Sequence, residues 1–245
     1  MKYKINNVLV TGAGKGIGQA TANLLISKGI YVYALIKNKE DNKKFKKCEN
    51  LKIINGNVTN LNLIQKIFSD ANKNHRIITG LVNNAGIRQR KNFLKINKKD
   101  LKNVFDINFF SIFYLMQIFT KNLIKKKTPG VIVNISSIVG QTGFTGLSSY
   151  ASTKGALTSL TKCFAKEMAK FKIRANSISP GFIETSYFKN FKKKKALYNW
   201  TLSRIPMKRW GRSDEISNLI FFLLSKEASY INGENVNIDG GWLNS

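Results

Sequence analysis

The chain has 245 residues, with 41 Lys and Arg against 13 Asp and Glu, a net charge of +28. A hydrophobic fraction of 43% with 11% aromatics excludes a disordered basic tail, and three prolines with 18 scattered glycines exclude a collagen-like or low-complexity chain. The length suits one domain, residues 1–245, with enough chain to bury a core without disulfide or metal staples.

In chain order, Asn7–Thr11 is a short apolar run that predicts a strand, followed by a glycine-rich turn and a helix over Gly16–Lys28. Strands are expected at Ile30–Ile36 and Leu51–Gly56, a helix at Asn62–Lys73 and a strand at Gly80–Asn83. A long helix, bent along its length, runs from Lys98 to about Lys127. Val131–Ser136 and Arg174–Ser179 read as strands on either side of a helix at Ser149–Phe171. After an irregular region from Gly181 to about Arg212, a helix at Asp214–Ser225 and a strand at Asn235–Ile238 close the chain. Short apolar strands alternating with helices imply parallel βαβ units, because strands buried on both faces read as apolar runs. Right-handed crossovers then give a single-domain α/β fold of Rossmann type. Its sheet is doubly wound and parallel, of about seven strands, with helices on both faces. The stretch Phe105–Met116 is apolar on nearly every side, which predicts packing against a second subunit in a homodimer or homotetramer.

Charge invites a nucleic-acid partner. Enrichment in Lys, Asn and Ile together is instead what AT-rich codons produce, so most of the charge reads as a solvated surface. Two cysteines and one histidine predict no disulfide framework, no metal site and no histidine triad. A reducing cytoplasm fits, no signal peptide is expected, and Ile107–Phe119 is too short to span a bilayer.

The first strand leads into Thr11-Gly12-Ala13-Gly14-Lys15-Gly16-Ile17-Gly18. Glycines allow a tight turn and close approach to a phosphate, while the helix start offers unpaired N–H groups and the positive end of its dipole. The spacing, with Gly12, Gly16 and Gly18, is neither the common dinucleotide fingerprint nor a P-loop. It resembles the cofactor turn of the short-chain dehydrogenases/reductases. Five further motifs stand in family order: Asn83-Asn84-Ala85-Gly86, Asn108, Ser137, Tyr150-x-x-x-Lys154 and Pro180-Gly181. The resemblance covers essentially the whole chain.

That resemblance implies a nicotinamide cofactor. Family members that use NAD place an acid at the tip of the second strand, whereas here the strand ends Leu35-Ile36-Lys37-Asn38, with Glu40 and Asp41 several residues further on. Lys37, and Lys15 inside the turn, argue for NADP(H) over NAD(H) through the 2′-phosphate. The resemblance also puts Ile17, Asn57, Val58, Asn84, Ala85, Gly86, Pro180, Gly181, Ile183 and Thr185 beside the cofactor. Tyr150 and Lys154 share one helix face at i and i+4. The resemblance makes Tyr150 the general acid, with a neighbouring ammonium expected to lower its pKa. Lys154 holds the ribose hydroxyls as well, Ser137 orients the substrate carbonyl and Asn108 supports a water.

The segment from Thr185 to Arg204 is expected to form a substrate lid at about residues 185–205, with Tyr187, Phe188, Phe191, Lys192–Lys195, Tyr198 and Trp200 receiving substrate. Arg88, Arg90 and Lys91 add cations near its mouth. The motif set, with Ile231-Asn232-Gly233-Glu234 and Asp239-Gly240-Gly241, most resembles 3-oxoacyl-acyl-carrier-protein reductases, which implies a small or carrier-bound carbonyl substrate and an acidic carrier partner. A sugar, sugar-acid or polyol substrate stays open, with Arg88 and Arg90 holding a carboxylate or phosphate. A non-enzymatic basic binding protein is the remaining alternative. The intact Ser137, Tyr150 and Lys154 speak against it, and no nucleic-acid or membrane partner is expected.

Overall fold

The computed structural model describes residues 5–185 and 188–245. β1 (Asn7–Thr11) passes through the glycine turn into α1 (Gly16–Ser27), followed by β2 (Tyr31–Ile36), β3 (Leu51–Asn55), α2 (Leu61–Lys73) and β4 (Gly80–Asn83). α3 (Lys98–Phe105) and α4 (Ser111–Lys125) lead to β5 (Gly130–Ile135), α5 (Ser148–Met168) and β6 (Ile173–Pro180). Then come β7 (Ile183–Glu184), α6 (Phe188–Lys192), α7 (Lys195–Arg204), β8 (Gly211–Arg212), α8 (Ser213–Leu224) and β9 (Asn235–Ile238).

Seven strands form one parallel sheet in the order β3-β2-β1-β4-β5-β6-β9, so the expected doubly wound fold is present. Strand alternation divides the core. Val8 and Val10 of β1 face one side with Ala22 and Leu25 of α1 and Ile216, Ile220 and Leu223 of α8. Leu9 faces the other with Ile64 and Phe68 of α2, Leu115 and Phe119 of α4 and Leu157 of α5. Chain order reverses between β1 and β4, which opens a crevice beyond their carboxyl ends where ligands bind in open α/β sheets.

Within the expected long helix, a π-helical turn over Asp106–Phe110 separates α3 from α4. On α4, Ile112, Leu115, Met116 and Phe119 are buried against the sheet, while Phe110 and Tyr114 remain 43% and 44% exposed. Their rings belong to a ladder running Phe105, Phe109, Phe110, Phe113 and Tyr114.

One departure lies between Gly181 and Arg212. The sequence reads as irregular there, because no apolar period marks a helix, yet α6 and α7 form. Tertiary contacts hold them. Phe188, Phe191 and Tyr198 pack round Trp210, whose indole N–H donates to Thr201 Oγ1 at 2.8 Å.

Polar side chains cross the core at the carboxyl ends of β4 and β5. Asn83 Nδ2 donates to Asn134 Oδ1 at 2.7 Å, and Asn134 Nδ2 donates to Thr161 Oγ1 at 2.8 Å. All three residues are buried. Removing the central amide strands buried partners on both sides, which costs about 1–3 kcal/mol or more. Asn134→Ala is therefore expected to lower the unfolding free energy by about 2–4 kcal/mol, read as an earlier urea midpoint at unchanged slope.

Candidate active site

The crevice is a cleft of about 770 Å³ running from Lys37 and Asn38 at one end to Phe144, Phe182 and Trp210 at the other. Its size and mixed lining suit a sizeable organic ligand. Gly12 turns the chain with φ +64°, and a Cβ there would lie 2.8 Å from Ala85 Cα. Gly18 packs the helix onto the turn, since a Cβ would lie 2.3 Å from Gly12 O. It lies outside the cleft's lining, whereas Gly12, Lys15, Gly16 and Ile17 are in it. The start of α1 has no side-chain cap and no acid in its first turn, so its amides and dipole favour an anion.

Thr11 and Asn84 lock this turn to the end of β4. Thr11 Oγ1 accepts from the backbone N–H of Asn84 and of Ala85, each at 3.0 Å. Asn84 Nδ2 donates to Thr11 O and Gly12 O at 3.0 and 3.1 Å. Asn84 and Ala85 line the cleft, while the Asn84 amide serves the fold. Thr11 escaped the sequence reading, since nothing in its type or spacing marks it. Asn57, Val58, Gly86, Pro180, Gly181, Ile183 and Thr185 all line the cleft.

At the rim, Lys15 and Lys37 both line the cleft. Asp41 does too, which corrects its placement beyond the strand tip. A short helical turn over Lys39–Lys44 folds it back against Gly14, where a Cβ would lie 2.5 Å from its carboxylate. Lys44 clamps this contact, donating to Asp41 Oδ1 at 2.6 Å and to Gly14 O at 3.1 Å. Counting residues past the strand end missed the return, because local helical turns bring residue 41 back.

At the other end, Ser137, Tyr150 and Lys154 converge on the cleft. Ser137 follows β5 and caps a short turn, its Oγ accepting from Val139 N at 3.2 Å. Lys154 is only 4% exposed and donates to Ile135 O at 2.6 Å. Burial lowers its pKa to about 8. Its Nζ lies 5.7 Å from the centre of the Tyr150 ring. The Tyr150 phenol is nonetheless held above its ordinary value by burial, with Ser137 and Arg88 pulling the other way. The expected lowering by Lys154 is not what acts on it: the opposing pull comes from Ser137 and Arg88, and loss of solvent outweighs both.

Asn108 is fully buried and lies outside the cleft's lining. Its amide closes on the backbone of one residue, accepting from Ile87 N at 2.8 Å and donating to Ile87 O at 2.9 Å. A third contact reaches Thr153 Oγ1 at 3.3 Å. Asn108, presented by the π turn, thus clamps the loop after β4.

The lid residues point elsewhere. Phe188, Phe191, Tyr198 and Trp200 are absent from the cleft wall and pack among Trp210 and Trp242, while Tyr187 lies outside the described residues. Lys192 lies over the rings of Phe188 and Tyr198. Phe144, Phe182 and Trp210, which carry no motif, form the apolar wall instead.

A family model described as enoyl-(acyl carrier protein) reductase matches residues 12–243. The chain is 36% identical over 240 residues to the 3-oxoacyl-[acyl-carrier-protein] reductase FabG of Thermotoga maritima, covering 95% of this chain and 96% of that one. It is 32% identical to carbonyl reductase [NADPH] 2 of Sus scrofa, covering 100% of this chain and 99% of that one. It is 33% identical to L-xylulose reductase of Bos taurus, covering 96% of this chain and 95% of that one. The solved structure of a 4-hydroxyisoleucine dehydrogenase complexed with NADH superposes with a TM-score of 0.93 at 32% identity, covering 98% and 99% of the two chains.

Lys154 is an ammonium below its pKa of about 8 and a neutral amine above it. Turnover that needs the ammonium is expected to fall as pH rises through about 8, giving a pH–rate profile with an alkaline limb there. Lys154→Arg, charged at every accessible pH, should remove that limb.

Proposed function

The chain belongs to the short-chain dehydrogenase/reductase family, and on that premise we propose that it is an NADP(H)-dependent oxidoreductase interconverting a carbonyl and a secondary alcohol. The convergence of Ser137, Tyr150 and Lys154 on one cleft carries this reading. The bound nicotinamide would supply the hydride. The uncapped start of α1 would hold the pyrophosphate, with Lys154 on the ribose hydroxyls and Ile183 and Thr185 at the carboxamide. Ser137 would orient the carbonyl oxygen beside Tyr150. Burial keeps the phenol protonated, which suits a general acid that gives up its proton as the carbonyl is reduced.

NADP(H) is preferred because Lys15 and Lys37 stand at the rim while Asp41, the one carboxylate there among the described residues, is neutralised by Lys44. We take a 3-oxoacyl thioester as the leading substrate, on the similarity to the Thermotoga maritima reductase. Arg88 and Arg90 in the cleft wall favour a second reading, a sugar acid or related anion. The segment at about residues 185–205 would act as the lid, with Phe188, Phe191, Tyr198 and Trp200 bracing it on Trp210 and Trp242 rather than touching substrate.

The exposed ladder of Phe110 and Tyr114, continued by Leu101 and Ile124, is best explained by a second copy of the chain in a homodimer or homotetramer. Sedimentation at micromolar concentration is expected to show a dimer or tetramer, and Phe110→Glu with Tyr114→Glu to shift it to monomer. A monomeric wild type would remove the assignment.

NADPH oxidation with an acetoacetyl thioester, set against a panel of keto-sugars, tests the reaction. Tyr150→Phe should lose turnover by on the order of 10²–10⁴-fold while still binding NADPH. NADPH should bind on the order of tenfold tighter than NADH. Equal affinities would sink the cofactor preference, and absent thioester turnover would sink the leading substrate.

A further inference from the structure

The loop between β4 and α3 is pinched at its base by one carboxylate. Asp100 Oδ2 pairs with Lys91 and accepts from Asn97 N at 3.2 Å, so it holds the two ends of residues 91–97 together. Lys91 N donates to Gly146 O at 2.9 Å, which fastens the base to the loop before α5. Asn97 caps α3, its Oδ1 accepting from Asp100 N at 2.8 Å. Between these anchors the chain makes one tight turn over Phe93–Lys95. Asn92 Oδ1 accepts from Leu94 N at 3.0 Å, and the N–H groups of Lys95 and Ile96 donate to Asn92 O and Phe93 O.

This turn is well tied yet buries little. Phe93 is 73% exposed and Leu94 is 91% exposed. Single apolar side chains in water are ordinary, but two adjacent ones held outward on a fixed turn make a small apolar tip. Charge completes the feature. Lys95, Lys98 and Lys99 are all exposed, and none of them has an ion pair among the described residues. The two acids of residues 86–106, Asp100 and Asp106, are paired with Lys91 and Lys102. The tip therefore projects from a segment whose uncompensated charge is positive.

We propose that Phe93 and Leu94, with Lys95, Lys98 and Lys99, form a peripheral docking surface for an anionic lipid bilayer. A stable protein interface buries on the order of 1,000 Å² or more with a matching shape, which a protruding pair of side chains does not offer. A bilayer asks for neither. Phe93 and Leu94 enter the boundary between headgroups and acyl chains, while the lysine stems lie along it and their ammonium groups stay among the lipid phosphates. The contact is at the surface: no helix of the described residues is long and apolar enough to cross a membrane, and this contact needs none. Arg90, just before the turn, lines the cleft, so docking sets the cleft beside the lipid. The surface is independent of the reaction proposed for the cleft.

Flotation of the full chain with liposomes tests the surface without any turnover. Binding is expected to vesicles of phosphatidylcholine mixed with phosphatidylglycerol, and not to vesicles of phosphatidylcholine alone. Phe93→Ser with Leu94→Ser should weaken that binding on the order of tenfold. Lys95→Gln, Lys98→Gln and Lys99→Gln together should weaken it on the order of 100-fold, at about fivefold per lysine. Lys121→Gln, Lys125→Gln and Lys126→Gln remove the same charge at the other end of α4 and should leave it within about twofold. Equal loss in the two triple variants means attraction by bulk charge alone and overturns the surface. Binding that survives the double Ser variant overturns it as well. So does a wild type that ignores both kinds of vesicle; if the double Ser variant then sediments as a smaller oligomer than the wild type, a second copy of the chain covers the tip instead.

Discussion

Four hydrogen bonds between the end of β1 and the end of β4 hold the molecule's working surface in place. Thr11 Oγ1 receives the N–H groups of Asn84 and Ala85, and the Asn84 amide reaches back to Thr11 O and Gly12 O. Parallel strands diverge where the chain order reverses, and their last peptide groups lose their ladder partners there. The interlock satisfies those groups and fixes the distance between the glycine turn and the loop carrying Gly86 to Lys91. Gly12 has no room for a side chain because Ala85 backbone is drawn against it. Every later feature of the cleft is measured from this joint.

A second clamp carries the same logic to the catalytic end. Asn108 would end an ordinary helix turn unsatisfied in an apolar setting, so it needs partners. The π turn places it against both backbone polar groups of Ile87 and against Thr153, one residue before Lys154. The outer face of the same helix is the exposed aromatic ladder. Helix α3–α4 therefore ties the loop after β4 to the surface proposed to meet a second copy.

The charge of +28 becomes local when placed on the fold. Lys192 is spent on the faces of Phe188 and Tyr198, and Lys44 on Asp41. The cations that matter to a ligand are those in the cleft wall, Lys15 and Lys37 at one end and Arg88 and Arg90 at the other. Buried Lys154 works differently from all of them, because loss of solvent brings its pKa down to about 8.

The sequence by itself determined the parallel sheet, the order of its elements and the positions of Gly12, Ser137, Tyr150 and Lys154. These are set by local causes: apolar runs demand burial, a glycine turn demands its backbone, and i, i+4 spacing places two side chains on one face. Only the tertiary structure decided what those residues and their neighbours do. Burial raises Tyr150 against the pull of nearby charge, and Asn108 clamps a peptide that is 21 positions away in the chain. The lid aromatics turn into a tryptophan cluster, and Asp41 returns to the rim beside Lys44. Solvent exclusion and contacts between distant segments have no sequence period, so they become visible only once the chain has folded.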